Sequence, residues 1–373
     1  MKRILLSLGL LAAVCCSASG NDAKPEAIAF SGKRIFDVCF CEAIDRAPFA
    51  LDGFYWRKAG EPLWRYPAAV LDNEKINANL RRQGRRASGG VIRFKTDSRY
   101  IALRPEIDGV GEARFDLLEL TPEGHRFRAS AAFLGNGRNS AKALLNPPWG
   151  KLRDEKPMRE WVLYLPLFRE VKSIEIGFEP GAKVEAPSPY KLDKPIVFYG
   201  SSITHGVGSS RPANTYPALL CRKVGAPLVN LGVGGGCRAE LEVADALAEI
   251  DAAVFVMDYE HNSGNNGYLA KTHEPFFKRL REKRPDMPIL VLTKGDNPNP
   301  ESTAIIRKTV ENAKARGDRK VWFIDGAQYF SKFDDPLLPT VDCCHPTDLG
   351  FYAMYQVILP VLQEILAAAP AAK

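Results

Sequence analysis

The chain has 373 residues, a formal net charge of +7 at neutral pH, 46% hydrophobic residues and 25% charged residues. This composition is typical of globular proteins and excludes a disordered or collagen-like chain. Because a domain usually holds roughly 100 to 200 residues, the length predicts two domains.

The N-terminus has the pattern of an export signal. Two basic residues precede the apolar stretch 4–14, and small residues follow to position 20. We therefore predict that residues 1–20 are a signal peptide and that the protein is periplasmic, surface-bound or secreted. Cys15 or Cys16 could instead carry a lipid anchor, and that alternative stays open. No later stretch reaches the roughly 18 apolar residues of a membrane span, so no transmembrane span is predicted.

Positive charge alternates with negative charge along the chain except in one basic run, which consists of Arg81, Arg82, Arg85 and Arg86. The run lacks the interleaved aromatic residues of a nucleic-acid recognition module, and a solvated surface accounts for it. We therefore predict no nucleic-acid partner.

Six cysteines follow the predicted signal, and they do not form a recognisable framework. Their spacing matches neither a disulfide scaffold nor the paired elements of a four-ligand zinc site. In an exported protein we expect buried thiols, or one or two disulfides whose pairing is left open. These residues are Cys39, Cys41, Cys221, Cys237, Cys343 and Cys344.

Residues 28–190 contain short runs rich in β-branched and aromatic residues, such as 91–94 and 171–178, separated by turn residues. Runs of this spacing, without a long helical period, predict an antiparallel, jelly-roll-like β-sandwich over residues 25–187. The segment 185–190 contains two prolines and is expected to be a stiff linker.

After Lys194 the sequence alternates five apolar strands with helical segments, and the strands begin at Ile196, Leu228, Ala253, Ile289 and Val321. Continuously apolar strands in this alternation predict a parallel sheet with helices on both faces, an α/β domain over residues 191–370. In such sheets the functional site lies beyond the carboxyl ends of the strands.

Four motifs follow these strand ends: 200–204 (Gly-Ser-Ser-Ile-Thr), 232–236 (Gly-Val-Gly-Gly-Gly), 258–262 (Asp-Tyr-Glu-His-Asn) and 342–345 (Asp-Cys-Cys-His). A serine hydroxyl becomes a good nucleophile when a neighbouring imidazole removes its proton. Two motifs place a histidine three residues after a carboxylate that could orient it, namely Asp258 before His261 and Asp342 before His345. Spacing alone does not choose between the two pairs.

The motifs resemble the sequence blocks of the SGNH hydrolases, or GDSL-type esterases. Residues 200–203 resemble the G-D-S-L block, with Ser201 in place of the aspartate, which implies that Ser202 is the nucleophile. Residues 342–345 resemble the D-x-x-H block, which implies that Asp342 is the acid and His345 the base. The resemblance covers about residues 194–366 and implies a flavodoxin-like, three-layer α/β/α fold.

The same resemblance implies an oxyanion hole. Residues 230–235 are similar to the second block, which implies a backbone N–H group from Gly235 beside that of Ser202. The third block departs from the usual G-x-N-D, and only Asn262 can take the place of its asparagine. His205 and His261 lie in the same loops and are expected to line the site.

These residues also have other interpretations. Ser202 could be the N-cap of the following helix, a role that is compatible with catalysis. The glycine run 232–236 could cradle a phosphate, but it lacks the third glycine of the dinucleotide fingerprint, so no cofactor is predicted. No three-ligand cluster is evident, so no metal is predicted either.

We expect a serine esterase that releases short acyl groups, acetyl in particular, from carbohydrate through an acyl-enzyme. The substrate rests on the predicted export and on sandwich domains that precede the hydrolase in relatives resembling carbohydrate esterases. The alternatives are a lipid or thioester hydrolase of the same fold, and a non-catalytic glycan-binding protein on a hydrolase scaffold. The sequence leaves the acyl group, the sugar and the oligomeric state open.

The sandwich domain is also expected to contact the substrate. Aromatic rings in its loop-like stretches could stack on sugars if exposed, or belong to the core if buried. These rings are Trp56, Trp64, Tyr66 and Trp149. A fragment that begins near Lys191 is then expected to act on a small ester but poorly on a polysaccharide.

Overall fold

A computed structural model describes residues 14–15, 24–30, 34–136, 143–145 and 154–368. The predicted signal peptide lies outside the described residues except for the two-residue strand β1 (Val14–Cys15). Trp149, one of the predicted sugar-stacking rings, also lies outside them.

Two antiparallel sheets form the N-terminal part, so the predicted sandwich is confirmed. The first sheet contains β1, β4 (Ala50–Asp52), β5 (Val91–Thr96), β7 (Val110–Thr121), β8 (Gly124–Asn136), β10 (Arg159–Tyr164) and β12 (Lys183–Glu185). The second contains β2 (Glu26–Phe30), β3 (Arg34–Glu42), β6 (Ile101–Ile107), β9 (Ala143–Leu144) and β11 (Val171–Phe178). Alternate side chains of both sheets point inward, and the core they form includes Phe94, Phe115, Trp161 and Phe178.

The connection between β4 and β5, residues 53–90, is helical rather than strand-like, and we call it the helical insert. It contains α1 (Ala68–Leu71) and α2 (Ala78–Gln83). Its apolar residues Val70 and Leu80 do not join the sandwich core but share a core with Val197 and Val229 of the C-terminal part. The two helices of the insert therefore pack with the second domain, while its residues Phe54, Leu63 and Ala87 join the sandwich core.

Three of the aromatic residues proposed for sugar stacking lie in the helical insert and pack against protein. Tyr66 is buried, and Trp56 stacks on it while donating from its indole N–H to Glu249. Trp64 lies under the guanidinium of Arg85, 4.8 Å from ring centroid to carbon. These contacts favour a role in the core and its rim for all three rings.

The C-terminal part contains the predicted parallel sheet, in the flavodoxin-like order β14-β13-β15-β16-β17. Its strands are β13 (Ile196–Gly200), β14 (Leu228–Asn230), β15 (Val254–Asp258), β16 (Ile289–Leu292) and β17 (Val321–Ile324). The helices are α3 (Ser202–His205), α4 (Tyr216–Val224), α5 (Leu241–Leu247), α6 (Asn266–Lys283), α7 (Pro300–Ala315) and α8 (Asp348–Ala368). The predicted α/β fold is therefore confirmed.

Helix α8 is long and apolar enough to cross a membrane by length and composition alone, which the sequence expectation did not anticipate. A core helix passes the same test. Phe351, Ile358 and Leu362 of this helix are buried in one core with Ile196 and Phe198 of the parallel sheet.

Candidate active site

Ser202 lies two residues after the end of β13 and is the first residue of α3. The N-cap of this helix is Ser201, whose hydroxyl accepts the N–H of Ile203 at 3.2 Å, and not Ser202 as the alternative interpretation suggested. The Ser202 hydroxyl is thereby left for other partners. The left-handed Gly206, at φ 110°, ends the helix after one turn.

The hydroxyl of Ser202 meets the imidazole of His345. Ser202 Oγ lies 2.8 Å from His345 Nε2, and His345 Nδ1 lies 2.7 Å from Asp342 Oδ2. Asp342 Oδ1 accepts the backbone N–H groups of His345 at 2.7 Å and Cys344 at 3.1 Å. These bonds from His345, first the backbone and then the ring, lower the pKa of Asp342 and keep its carboxylate charged.

The second carboxylate–histidine pair has a different arrangement. Asp258 Oδ2 accepts hydrogen bonds from Thr204 and Tyr216, both at 2.9 Å, and burial raises its pKa to about 6. His261 pairs through Nε2 with Asp296 instead. Of the two histidines between which spacing could not choose, His345 is therefore the one that reaches Ser202.

Gly235 and Asn262, the two predicted oxyanion donors besides Ser202, bond to each other. The Gly235 N–H donates to Asn262 Oδ1 at 3.0 Å. The amide nitrogen of Asn262 donates to Val233 O at 3.0 Å and to Cys237 O at 3.1 Å, so both of its protons are used. The oxyanion role of both residues stays a prediction. In this structure Asn262 fixes the shape of residues 230–236, which we call the glycine loop.

The glycine loop, residues 230–236, also lies directly against the nucleophile candidate. A Cβ atom built on Gly234 would lie 3.3 Å from Ser202 Cβ. A side chain at this position would fill the space beside the Ser202 hydroxyl, so the absence of one leaves room for an acyl group. The sequence reasoning assigned no role to Gly234.

Sequence reasoning missed the residues that support the glycine loop from the helical insert. Arg65 Nη1 donates to the carbonyl oxygens of Asn230 and Gly232 at 2.8 Å each, and Gln83 Nε2 donates to Gly234 O at 2.8 Å. Tyr66 OH donates to Leu231 O at 2.5 Å. The sequence carries little local signal for these supporting residues, because α1 and α2 have only four and six residues and a helical period shows only over a longer window.

His205, one of the two histidines expected to line the site, is buried against the sandwich part. His205 is fully buried, its Nε2 lies 2.8 Å from Leu167 O of the sandwich part, and Phe168 packs on its ring. Burial holds the pKa of His205 well below its usual range, so the ring is a neutral interdomain contact and not a group that substrate could reach.

His261, Asp296 and Cys344 are the described residues that could hold a metal ion. Their ligand atoms all lie within 4.8 Å of one another, and Cys344 is the neighbour of His345. Burial lowers the pKa of His261, but the bond to Asp296 and the charges of Asp296, Asp258 and Glu260 outweigh it and raise the pKa overall. His261 Nε2 and Asp296 thus form a hydrogen-bonded ion pair, while His261 Nδ1 is buried with no hydrogen-bond partner among the described residues. The expectation that no metal takes part stays a prediction.

Four of the six cysteines that follow the predicted signal are free thiols among the described residues, namely Cys221, Cys237, Cys343 and Cys344. Cys221 and Cys237 are the buried pair, and burial raises the pKa of Cys237 to about 12. A thiol of that pKa is inert at neutral pH. The sequence left buried thiols and disulfides open, and Cys221 and Cys237 are buried thiols.

Comparison with known proteins supports the fold. Residues 193–363 match the model of the GDSL-like Lipase/Acylhydrolase family. A Bacteroides ovatus protein provisionally described as a GDSL-like lipase is 28% identical, with a TM-score of 0.76 over 88% of this chain and 98% of that chain. No sequence among proteins of curated function matches the chain.

Two further solved structures share the architecture at lower identity. A salicylyl-acyltransferase from a tetracycline biosynthetic pathway is 19% identical, with a TM-score of 0.70 over 89% of this chain and 99% of that chain. An acetyl xylan esterase from the rumen bacterium Butyrivibrio proteoclasticus is 14% identical, with a TM-score of 0.59 over 88% of this chain and 99% of that chain. At these identities the likeness shows the fold, sandwich and α/β domain together. Residues 193–363 therefore form a GDSL-like lipase/acylhydrolase domain.

Proposed function

We propose that the protein is a serine esterase that hydrolyses short acyl esters of carbohydrate, acetyl esters in particular, through an acyl-enzyme. The observation that carries the proposal is the continuous hydrogen-bonded series from Ser202 Oγ to His345 Nε2 at 2.8 Å and from His345 Nδ1 to Asp342 Oδ2 at 2.7 Å. This is the arrangement in which imidazole can take the serine proton while a carboxylate fixes its tautomer.

The proposed reaction has two halves. Ser202 Oγ attacks the ester carbonyl as its proton moves to His345 Nε2, and the tetrahedral intermediate collapses when His345 returns that proton to the departing sugar oxygen. Water then attacks the acyl-enzyme with His345 again as base, which releases the acid and restores the serine. Asp342, held by two backbone N–H groups, stabilises the imidazolium in both halves.

The developing oxyanion needs N–H donors beside Ser202. The Ser202 N–H opens α3 and so has no partner within the helix, which makes it the first candidate. The Gly235 N–H is the second, and it would have to exchange its bond to Asn262 Oδ1 for one to the oxyanion. Donors aimed at the oxyanion contribute on the order of 10² to 10³ each to kcat.

The carbohydrate part of the proposal rests on analogy and on the predicted export. The acetyl xylan esterase from Butyrivibrio proteoclasticus has the same two-part architecture, at 14% identity. Fold likeness alone does not assign a substrate, so the sugar and acyl group are matters for direct assay. A panel of acetylated polysaccharides, set beside a long-chain acyl ester and an acyl thioester, separates the proposal from a lipid or thioester hydrolase.

A fluorophosphonate probe tests the nucleophile. We expect labelling of the wild-type protein and of Ser209→Ala, a matched control whose hydroxyl donates to Gly206 O and lies outside the series. We expect no labelling of Ser202→Ala. Both Ser202→Ala and His345→Ala should lower kcat on an acetyl ester by up to about 10⁶ with the melting temperature preserved. A Ser202→Ala protein that keeps more than about a tenth of the activity would falsify the assignment.

A further inference from the structure

The helical insert brings a group of arginines to the side of the glycine loop, near Ser202. Arg86 Nη1 donates to Gln83 Oε1 at 3.1 Å, and Arg82 Nη2 donates to Asn79 Oδ1 at 3.1 Å. Arg169, in the turn that follows β10, donates through Nη1 to Phe168 O at 3.4 Å, but its guanidinium packs against Gly111 of β7. Its Nε is buried with no hydrogen-bond partner among the described residues.

The side chain of Gln83 lies between Arg86 and the glycine next to Ser202. The side-chain oxygen of Gln83, to which Arg86 donates, lies 3.6 Å from the position of a Cβ atom on Gly234, and Ser202 Cβ lies 3.3 Å from the same point. Gln83 and Ser202 therefore approach Gly234 from the same space. A sugar bound through its ester at Ser202 would extend over this space within reach of the Arg86 guanidinium.

Arg82 has the same relationship to the next glycine. Asn79 accepts from Arg82 through Oδ1, and its Nδ2 lies 3.1 Å from the position of a Cβ atom on Gly235. Because Gly234 and Gly235 have no side chains, Gln83 and Asn79 lie directly between the arginines and the glycine loop. The basic run that the sequence analysis interpreted as a solvated surface thus has part of its charge beside the candidate active site.

The charges of Arg82 and Arg86 are not paired with carboxylates in direct contact. Arg85, on the same run, pairs with Asp72 at 2.8 Å, but within the described part of the chain no carboxylate lies within 4.0 Å of Arg82 or Arg86. Burial, followed by the like charges of Arg82 and Arg169, lowers the pKa of Arg86, and the charge of Glu170 offsets these effects only in part. Guanidinium groups kept together without a direct ion pair raise the local positive potential and attract an anionic ligand.

On the basis of the proposed function, we propose that Arg82 and Arg86 form a subsite for an anionic group of the substrate. The favoured ester is then carried by an acidic polysaccharide, with a sugar carboxylate next to the acylated position. The guanidinium is the side chain best suited to this task, since its planar N–H groups match a carboxylate in a two-point hydrogen bond.

The test compares two forms of one polymer. Acetylated polygalacturonate with free carboxylates is the anionic substrate, and the same polymer with methyl-esterified carboxylates is its neutral counterpart. We expect the wild-type protein to prefer the free acid in kcat/KM at low salt and to lose that preference in 0.5 M NaCl, at which charges are screened within roughly 4 Å. Arg82→Gln and Arg86→Gln should each reduce the preference ratio about tenfold, the size of one charge-assisted hydrogen bond.

Arg85→Gln is the matched control, because it removes the same charge from an arginine already paired with Asp72. Its preference ratio should stay within about twofold of wild type. A wild-type ratio near one, or an equal fall of the ratio in Arg85→Gln and Arg86→Gln, overturns the subsite. A third substrate, an acetylated neutral glucan that carries introduced sulfate groups, distinguishes a carboxylate site from a general anion site. A preference for the sulfated polymer over the polymer with carboxylates also overturns the proposal as stated.

The outcome is separable from that of the proposed function. Failure of the wild-type protein to hydrolyse any acetyl ester, including 4-nitrophenyl acetate, contradicts the esterase assignment. Hydrolysis of that small ester without any preference between the two polymer forms contradicts only the subsite. Melting temperatures of the variants identify any loss that comes from unfolding, and Arg82→Gln removes a bond to the Asn79 side chain and none to the glycine loop among the described residues.

Discussion

Arg65 Nη1 lies 2.8 Å from the carbonyl oxygen of Gly232, although the two residues are 167 positions apart in the chain. The guanidinium is fully buried and also donates to the carbonyl oxygens of Asn230, Gln83 and Arg86. Burial lowers the pKa of Arg65 to about 10, so it is still charged at neutral pH. Four carbonyl dipoles, rather than a carboxylate, stabilise this buried charge.

Arg65→Met should therefore destabilise the protein and disorder the glycine loop. The substitution leaves several buried carbonyl groups unsatisfied, and we expect a loss of about 3 to 5 kcal/mol in the free energy of unfolding. Urea unfolding measures this loss, and kcat on an acetyl ester measured well below the melting temperature reports the loop. Arg65→Lys, which keeps the charge but not the planar fork, should recover only part of both. Wild-type stability in Arg65→Met would contradict the role.

A fragment that begins at Lys191 should fail on small and polymeric esters alike. The sequence alone predicts that such a fragment keeps activity on a small ester, but it lacks the helical insert, whose Tyr66, Val70 and Leu80 belong to the core beneath the parallel sheet. Soluble expression, circular dichroism and hydrolysis of 4-nitrophenyl acetate are the measurements. A folded, fully active fragment would show that the insert is dispensable.

Asn262→Ala distinguishes two roles for that residue. If its amide only donates to the oxyanion, kcat falls by about 10² to 10³ without a change in stability. The three backbone hydrogen bonds of Asn262 predict a different result, in which the free energy of unfolding also falls by about 2 to 3 kcal/mol. Parallel measurement of kcat and urea unfolding tells these roles apart, and unchanged stability would assign Asn262 to the oxyanion.

Chelation should leave esterase activity unchanged, because the proposed nucleophile comes from serine and imidazole. His261, Asp296 and Cys344 supply the described site where a metal could bind. Dialysis against EDTA followed by assay on 4-nitrophenyl acetate is the measurement, with Cys344→Ser as the matched variant. Loss of activity with EDTA and recovery with zinc in wild type but not in Cys344→Ser would place a functional metal there.

The sequence predicted the elements whose evidence is local. Strand–helix alternation after Lys194 predicted the parallel sheet, and the strand ends located Ser202 and His345. It could not predict the support of the glycine loop, because no local pattern relates Arg65 to carbonyl groups so distant in sequence. It also misassigned the N-cap of α3, since adjacent serines have the same capping preference and only backbone geometry selects Ser201.

Asp258 gives the protein a predictable dependence of stability on pH. This carboxyl is buried beneath the candidate site between Thr204 and Tyr216, and burial raises its pKa from 3.8 to about 6. Between those two pH values the folded protein keeps a proton that the unfolded chain has already released. The stability contribution of Asp258 is therefore full below about pH 4, falls as pH rises towards 6, and is constant above that.

Asp258→Asn removes this titration and serves as the reference. The free energy of unfolding of wild type minus that of Asp258→Asn should fall by about 2 kcal/mol between pH 4.5 and pH 7.5, since one pKa unit corresponds to about 1.4 kcal/mol. Taking the difference at each pH cancels the other titrating groups, which the two proteins share. Urea unfolding at the two pH values is the measurement. A difference that does not change with pH would mean that Asp258 has an ordinary pKa. A difference that rises with pH would mean that its two hydrogen bonds outweigh burial and stabilise the carboxylate.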